Sequence, residues 1–326
     1  MKILYVTDLH GATAKFERVL QVAQLAGVDA VVNGGDMLPK RTDLFQQDRY
    51  ITGYLHGYFA RFDSASIYCL CYLGNDDLRI FDELFEQVCD QHPYVSCLAQ
   101  RKITLMGYEF IGMNWVADYP FQLKDRARKD NEWYVFQQQL GPGVLSTTAG
   151  WQEIDDWFSY AATLPTIEDE LQRLVRPDDM ARAVYVLHMP PSQLGLDKCM
   201  HGAEVGSDAV YDFLSLNQPL LSLHGHIHEA PDVSGYWYRR LGTTTCIQPG
   251  QPDDELAYVL VDLETMTYCR VREKPADTAG DVWVEWQREC VGGGEAAVSF
   301  LRACPTCRSQ NRSKAMFCHI CGRSLA

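Results

Sequence analysis

Residues 1–36, MKILYVTDLHGATAKFERVLQVAQLAGVDAVVNGGD, decide how the chain folds. Lys2 to Thr7 is a short apolar run, the kind of strand that a layered sheet buries on both faces. Thr13 can cap a helix in which Phe16, Val19, Leu20 and Ala23 share one face, and Gly27 stops it. Asp29 to Asn33 is the next strand. Strand, helix, strand, with a loop after each strand, is the unit from which layered α/β domains are built. Ligands of such folds collect where the strands end. Here those ends carry Asp8, His10 and Asp36.

The pattern continues outward. Ser66 to Leu73, Tyr108 to Asn114, Ala183 to Leu187, Pro219 to Leu223, Thr243 to Ile247 and Leu256 to Leu263 are short, apolar and followed by turns, so each is a strand candidate. Three of them lead to Asn75, to His188, and to His226 with His228. A site for two divalent ions needs hard oxygens and neutral imidazoles, with a carboxylate able to bridge, and these residues are that mixture. Asp8 and His10 stand at i and i+2, so in an extended chain both point the same way, and His226 and His228 repeat the spacing. Gly34-Gly35 before Asp36 lets backbone come close to a ligand. A lone Asp or His at a strand end is ordinarily a satisfied polar group or a cap. Seven in this order outweigh that reading.

The order DLH, GGD, GND, LHMPP and GHIH over residues 8–228 resembles the signature of the calcineurin-like metallophosphoesterase superfamily. The resemblance implies an α/β fold, a two-sheet sandwich flanked by helices with two metals at the strand ends. It places Asp8, His10, Asp36 and His228 on the first ion and Asp36, Asn75, His188 and His226 on the second, with Asp36 bridging. The implied activity is phosphoester hydrolysis by a metal-bridging hydroxide, with manganese, iron, zinc or nickel as candidate metals. Asp36, Asn75, Asp76 and His188 are the expected catalytic set. Asp76 stands where the family usually carries a histidine, and a carboxyl group is a poor general acid at neutral pH unless desolvated or paired with a like charge. That favours phosphodiesters or nucleotides over unactivated alkyl monoesters. The rival readings are a noncatalytic scaffold that recruits partners, and a nuclease gripping its substrate with a basic tail.

Other histidines are weaker candidates. His224 in LHGHIH is read as orienting a ligand or touching substrate, and His201 in Met200-His201-Gly202 as a phosphate contact or a solvated loop residue. His56 and His92 are expected at the surface. Gln248-Pro249-Gly250 is either a turn bordering the metals or a plain turn.

Composition sets limits on the rest. The net charge of −14 comprises +5 on residues 296–326 and −19 on the remainder, so the body is a poor binder of long polyanions. With 326 residues and 47% hydrophobic content there is material for one large core plus an appendage. The start, MKILYVTD, is strand-like rather than secretory, and a cytoplasmic location is expected. Cys69, Cys71, Cys89, Cys97, Cys199, Cys246, Cys269 and Cys290 lack a disulfide-framework spacing and are read as reduced thiols.

The expected organisation is a domain over 1–271 with the metal site, a linker segment over 272–300, and a ribbon over 301–326. Residues 117–180 break the strand rhythm and are read as covering helices or a substrate-shaping insert, with a capping box at Thr166 and Asp169 opening one helix. Cys304, Cys307, Cys318 and Cys321 form two C-x2-C pairs separated by ten residues, a pattern that resembles a zinc ribbon, with a redox dithiol pair as the alternative. A protein or intramolecular contact is favoured for the ribbon over nucleic acid, and no membrane association is expected.

Overall fold

The computed structural model describes residues 1–41, 43–276, 282–292, 301–304, 306–307, 310–312, 321 and 323. Its first half runs β1 (Lys2–Val6), β2 (Ala30–Asn33), β3 (Tyr68–Cys71), β4 (Val95–Cys97), β5 (Lys102–Leu105) and β6 (Tyr108–Met113). Short β7 (Val116–Ala117) and β8 (Ala127–Arg128) precede the hairpin β9 (Gly143–Thr147) and β10 (Gly150–Ile154). Then come β11 (Ala183–Leu187), β12 (Leu221–Leu223), β13 (Tyr238–Leu241), β14 (Thr244–Ile247), β15 (Leu256–Asp262), β16 (Thr267–Pro275) and β17 (Trp283–Val291). β18 (Leu301–Ala303) pairs with β19 (Gln310–Arg312) near the C-terminus.

Two sheets form the body. One has the order β17-β16-β15-β1-β2-β3-β4, the other β13-β14-β12-β11-β6-β5. In the first, β1, β2, β3 and β4 are parallel; in the second, β6, β11, β12 and β14 are parallel. The sheets share a core in which Val184, Val186, Leu221 and Leu223 meet Ile3, Tyr5 and Leu70. The alternate residues of β11, Ala183, Tyr185 and Leu187, face outward against Ile167, Leu171, Val210 and Leu214 of two helices. Burial on both faces is why the strand reads AVYVL without a polar break. Tyr72 ties the layers together by donating to the Val186 carbonyl at 3.2 Å.

On the outer face of the first sheet, helix Thr13–Ala26 buries Phe16, Val19, Leu20 and Ala23 and ends at Gly27 with φ 63°. Its N-cap is Ala12 with no side-chain cap, so Thr13 is the first helical residue rather than the cap. A buried fork fastens the helix: Arg18 donates to both carboxylate oxygens of Glu273 on β16, at 2.6 and 3.0 Å. Tyr258 donates to the same carboxylate at 3.0 Å.

Several expectations are corrected. β16 runs past residue 271 to Pro275, and β17 completes the sheet inside the span read as a linker. Cys269 and Cys290 face each other across these strands and form a disulfide, so they are not reduced thiols; Cys69, Cys71, Cys89, Cys97 and Cys246 are free and buried. Residues 117–180 hold the hairpin β9–β10 as well as helices Trp157–Ala161 and Ile167–Arg173. The second helix opens with the anticipated capping box between Thr166 and Asp169. His92 is buried and paired with Asp63 at 2.7 Å, while His56 is exposed. Among the described residues no helix is long and apolar enough to cross a membrane.

Candidate metal centre

All seven candidate ligands follow the C-terminal ends of parallel strands. The loop after β1 lies against the loop after β2: Asp8 N–H donates to the Gly35 carbonyl at 3.0 Å, His10 N–H to Asp36 at 2.9 Å, and Gly11 N–H to Met37 at 2.9 Å. The extended i, i+2 geometry assumed for Asp8 and His10 is absent. Asp8, His10, Asp36 and His226 have φ of 57°, 42°, 51° and 69°, so sharp left-handed turns aim their side chains inward. Such backbone conformations cost of order 1–3 kcal/mol each and persist where surrounding contacts enforce them. Asp77 supplies part of that enforcement. Its buried carboxylate accepts from Met37 N–H (3.0 Å), Leu38 N–H (2.8 Å) and Gly74 N–H (2.8 Å), which locks the Asp36 loop to the Asn75 loop. Gly74 is required at this junction, because a Cβ there would strike the Asp36 carboxylate.

The second sheet brings the remaining imidazoles. Gly225 N–H donates to the His188 carbonyl at 3.0 Å, and His226 N–H lies 3.2 Å from each oxygen of Asp8. His10 Nε2 and His228 Nε2 are 3.1 Å apart, and His228 Nε2 is 3.4 Å from Asp8 Oδ1. One ligand atom from each of Asp8, His10, Asp36 and His228 falls within 4.8 Å of all the others. On the other side, Asn75 Oδ1 is 2.9 Å from His188 Nε2 and 2.6 Å from His226 Nδ1, and His188 Nε2 is 3.6 Å from Asp36 Oδ2. Asp36 therefore stands between two groups of donors.

Electrostatics agree with cation binding. Burial holds His10 and His226 down to about 3, against the pull of nearby Asp36, so both imidazoles are neutral, the state in which imidazole ligates. His188 differs: burial would lower it, but Asp36 and Asp8 beside it raise it to about 9. Its Nδ1 donates to the Gly34 carbonyl at 2.7 Å, leaving Nε2 facing the Asn75 oxygen and the Asp36 carboxylate, where a proton stands in for a cation. Burial opposes ionisation of Asp8, yet His228 and His188 hold it at about 2. The donor set fits two hard or borderline divalent ions.

Asp76 lies at the rim, 3.5 Å from Lys40 Nζ and 3.9 Å from His10 Nδ1. Partial burial and then Asp36 push its carboxyl upward, while the Lys40 ammonium and His228 pull it back. Lys40 Nζ also reaches His10 Nε2 at 2.9 Å. His224 is fully buried, and its Nδ1 lies 3.0 and 3.1 Å from the carbonyls of Leu187 and Met189, which steadies the backbone on either side of His188. His201 is exposed in a turn closed by Gly202 N–H to the Cys199 carbonyl. Gln248 borders the site, reaching the carbonyls of Gly225 and Ile227.

Sequence reasoning missed the supports. Buried Arg126 donates from Nε to the Gly74 carbonyl at 2.7 Å, and Asn114 donates to Leu73 at 2.6 Å. Tyr119 sets its ring 5.9 Å from that of His226 and so borders the site. No local pattern marks these three. Asp77, two residues after Asn75, likewise shows no local sign of its part in joining the loops.

At the C-terminus, Cys304, Cys307 and Cys321 gather within 4.8 Å of one another. Cys318 lies outside the described residues.

A two-sheet α/β sandwich that collects carboxylates and imidazoles where its parallel strands end offers the donor types that a metal-dependent hydrolase uses. Residues 1–230 match the calcineurin-like phosphoesterases, and the chain belongs to that family, a family of hydrolases acting on phosphoric esters. Among solved structures, TT1561 of Thermus thermophilus aligns with a TM-score of 0.50 at 17% identity, covering 82% of this chain and 96% of that one. A dimetal phosphatase from Danio rerio aligns with a TM-score of 0.46 at 11% identity over 90% of this chain and 99% of that one. For an archaeal phosphodiesterase the values are 0.40, 9%, 83% and 99%. The likeness to TT1561 speaks to the fold alone. No curated protein sequence matches the chain.

Proposed function

We propose that the protein is a two-metal phosphodiesterase acting on small phosphodiesters or nucleotides. Asp8, His10, Asp36 and His228 would hold one ion and Asp36, Asn75, His188 and His226 the other, with Asp36 shared. A divalent pair supplies a lowered water pKa and neutralises charge on the phosphoryl oxygens. The residues contribute placement. His188, fixed through Nδ1 on the Gly34 carbonyl, keeps Nε2 aimed at the junction of the two donor groups. Asn75 Nδ2 donates to Asp76 Oδ1 at 3.0 Å, which turns its amide oxygen toward His188 and His226. Asp76 and Lys40, 3.5 Å apart at the rim, would meet the leaving group. The observation that carries the reading is the meeting of seven donors from five separate strand ends.

The test is turnover of an activated aryl diester by protein purified with manganese. Asp36→Ala and His188→Ala each abolish it on this reading; wild-type rates in both variants overturn it. Cys304, Cys307 and Cys321, with Cys318 as fourth ligand, are proposed to hold one zinc. A cytoplasmic setting and a protein contact through this ribbon complete the proposal.

A further inference from the structure

We propose that Phe121 is a stacking platform for the aromatic part of the substrate, so that the site takes nucleoside phosphates in preference to alkyl phosphates of the same charge. The inference rests on the reading above for the position of the phosphate, and it adds what is attached to it.

A line of rings runs outward from the metal centre. His226 meets Tyr119 at 5.9 Å between centroids, and Tyr119 meets Phe121 at 6.2 Å. Tyr119 is buried and immobilised. Its hydroxyl donates to the Leu123 carbonyl at 2.5 Å, and the ammonium of Lys124 lies 4.7 Å from its ring centroid while pairing with Asp118 at 2.8 Å. Phe121 is the opposite: 63% of it is exposed.

The backbone beneath Phe121 is not loose. Leu140 N–H donates to Pro120, Val144 N–H to Gln122, and Lys124 N–H to Val144, at 2.9, 2.8 and 2.9 Å. A large apolar ring is thus displayed to water on a pinned backbone, beside a ring that touches a metal-site histidine. A scattered exposed phenylalanine needs no explanation, but continuity with the metal centre sets this one apart. An aromatic side chain at the mouth of a phosphate site binds a base by its π-face without reading its identity. The strongly acidic body of the chain disfavours a long polyanion. A mononucleotide-sized ligand is therefore the class that satisfies both constraints.

Calorimetry on the manganese-loaded full chain compares adenosine 5′-monophosphate with ribose 5-phosphate, which carries the same phosphate without a base. The wild type binds the nucleotide about 10-fold more tightly, Phe121→Ala removes that preference, and Phe121→Trp keeps it, following the usual size of a base-stacking contact. Ribose 5-phosphate affinity stays the same in all three. Equal affinities for the two ligands in the wild type, or a preference that survives Phe121→Ala, overturn the inference. Turnover of the aryl diester is scored separately. A wild type that turns over but lacks the preference sinks only this inference, whereas one that shows the preference without turnover sinks only the catalytic reading.

Discussion

Arg126 hands its Nε–H to the carbonyl oxygen of Gly74 at 2.7 Å while the far side of its guanidinium pairs with Asp82. Only 1% of Arg126 is exposed, and it joins the segment 117–180 to the turn that presents Asn75. Arg126→Met takes the shorter of two hydrogen bonds from the Gly74 carbonyl, leaving Asp77 N–H at 3.3 Å, and removes the partner of the partly exposed Asp82. The expected cost is about 1–2 kcal/mol of stability, read by denaturant unfolding. Metal affinity is expected to fall about 10-fold to 100-fold, as for other outer supports of metal ligands. Unchanged metal titration curves would show that Arg126 supports the fold without placing Asn75.

A smaller change strikes the same junction from the other side. Gly74→Ala drives a methyl group into the Asp36 carboxylate. Moving the carboxylate proposed to be shared by both ions by about 1 Å is expected to lower kcat/KM by about 100-fold. Far-UV circular dichroism should stay as in the wild type, and a fully active variant contradicts the placement of Asp36.

Lys15 offers a pH test away from the ligands. Burial outweighs the attraction of Asp253 and brings its ammonium down to about 8 from 10.5. Between those values the unfolded chain holds a proton that the folded protein has released, so stability rises with pH across that window. Relative to Lys15→Met, the gain from pH 7.5 to 10.5 is at most on the order of 3 kcal/mol. Paired denaturant titrations at the same metal loading measure it, and a flat difference refutes it.

The C-terminal thiols predict a metal count. Cobalt added to the metal-free full chain should give a thiolate charge-transfer band, and Cys304→Ser should weaken it without altering diester turnover. A band of full strength in the variant would exclude Cys304 as a ligand.

The parts of the fold that could be read in advance were those with a strong local cause. Continuous apolar runs such as AVYVL mark strands buried on both faces, and their ends carry the ligand types. β17 was missed because WVEWQRECV is half-exposed along most of its length and has the polar content of an edge strand. The Cys269–Cys290 bridge depends on a register between β16 and β17 that spacing does not reveal. His92 looked like a surface group because its partner, Asp63, is 29 residues away in sequence. The candidate donors stand out by type and order, but the left-handed backbone of Asp8, His10, Asp36 and His226 comes from contacts between loops.

The centre draws Asp8, His10, Asp36 and Asn75 from loops of one sheet and His188, His226 and His228 from loops of the other. Ions seated there would act as rivets through two plates. Slippage of one layer along the other would open the coordination spheres before it disrupted either sheet, so loss of bound metal would register shear between the layers ahead of any change in secondary structure.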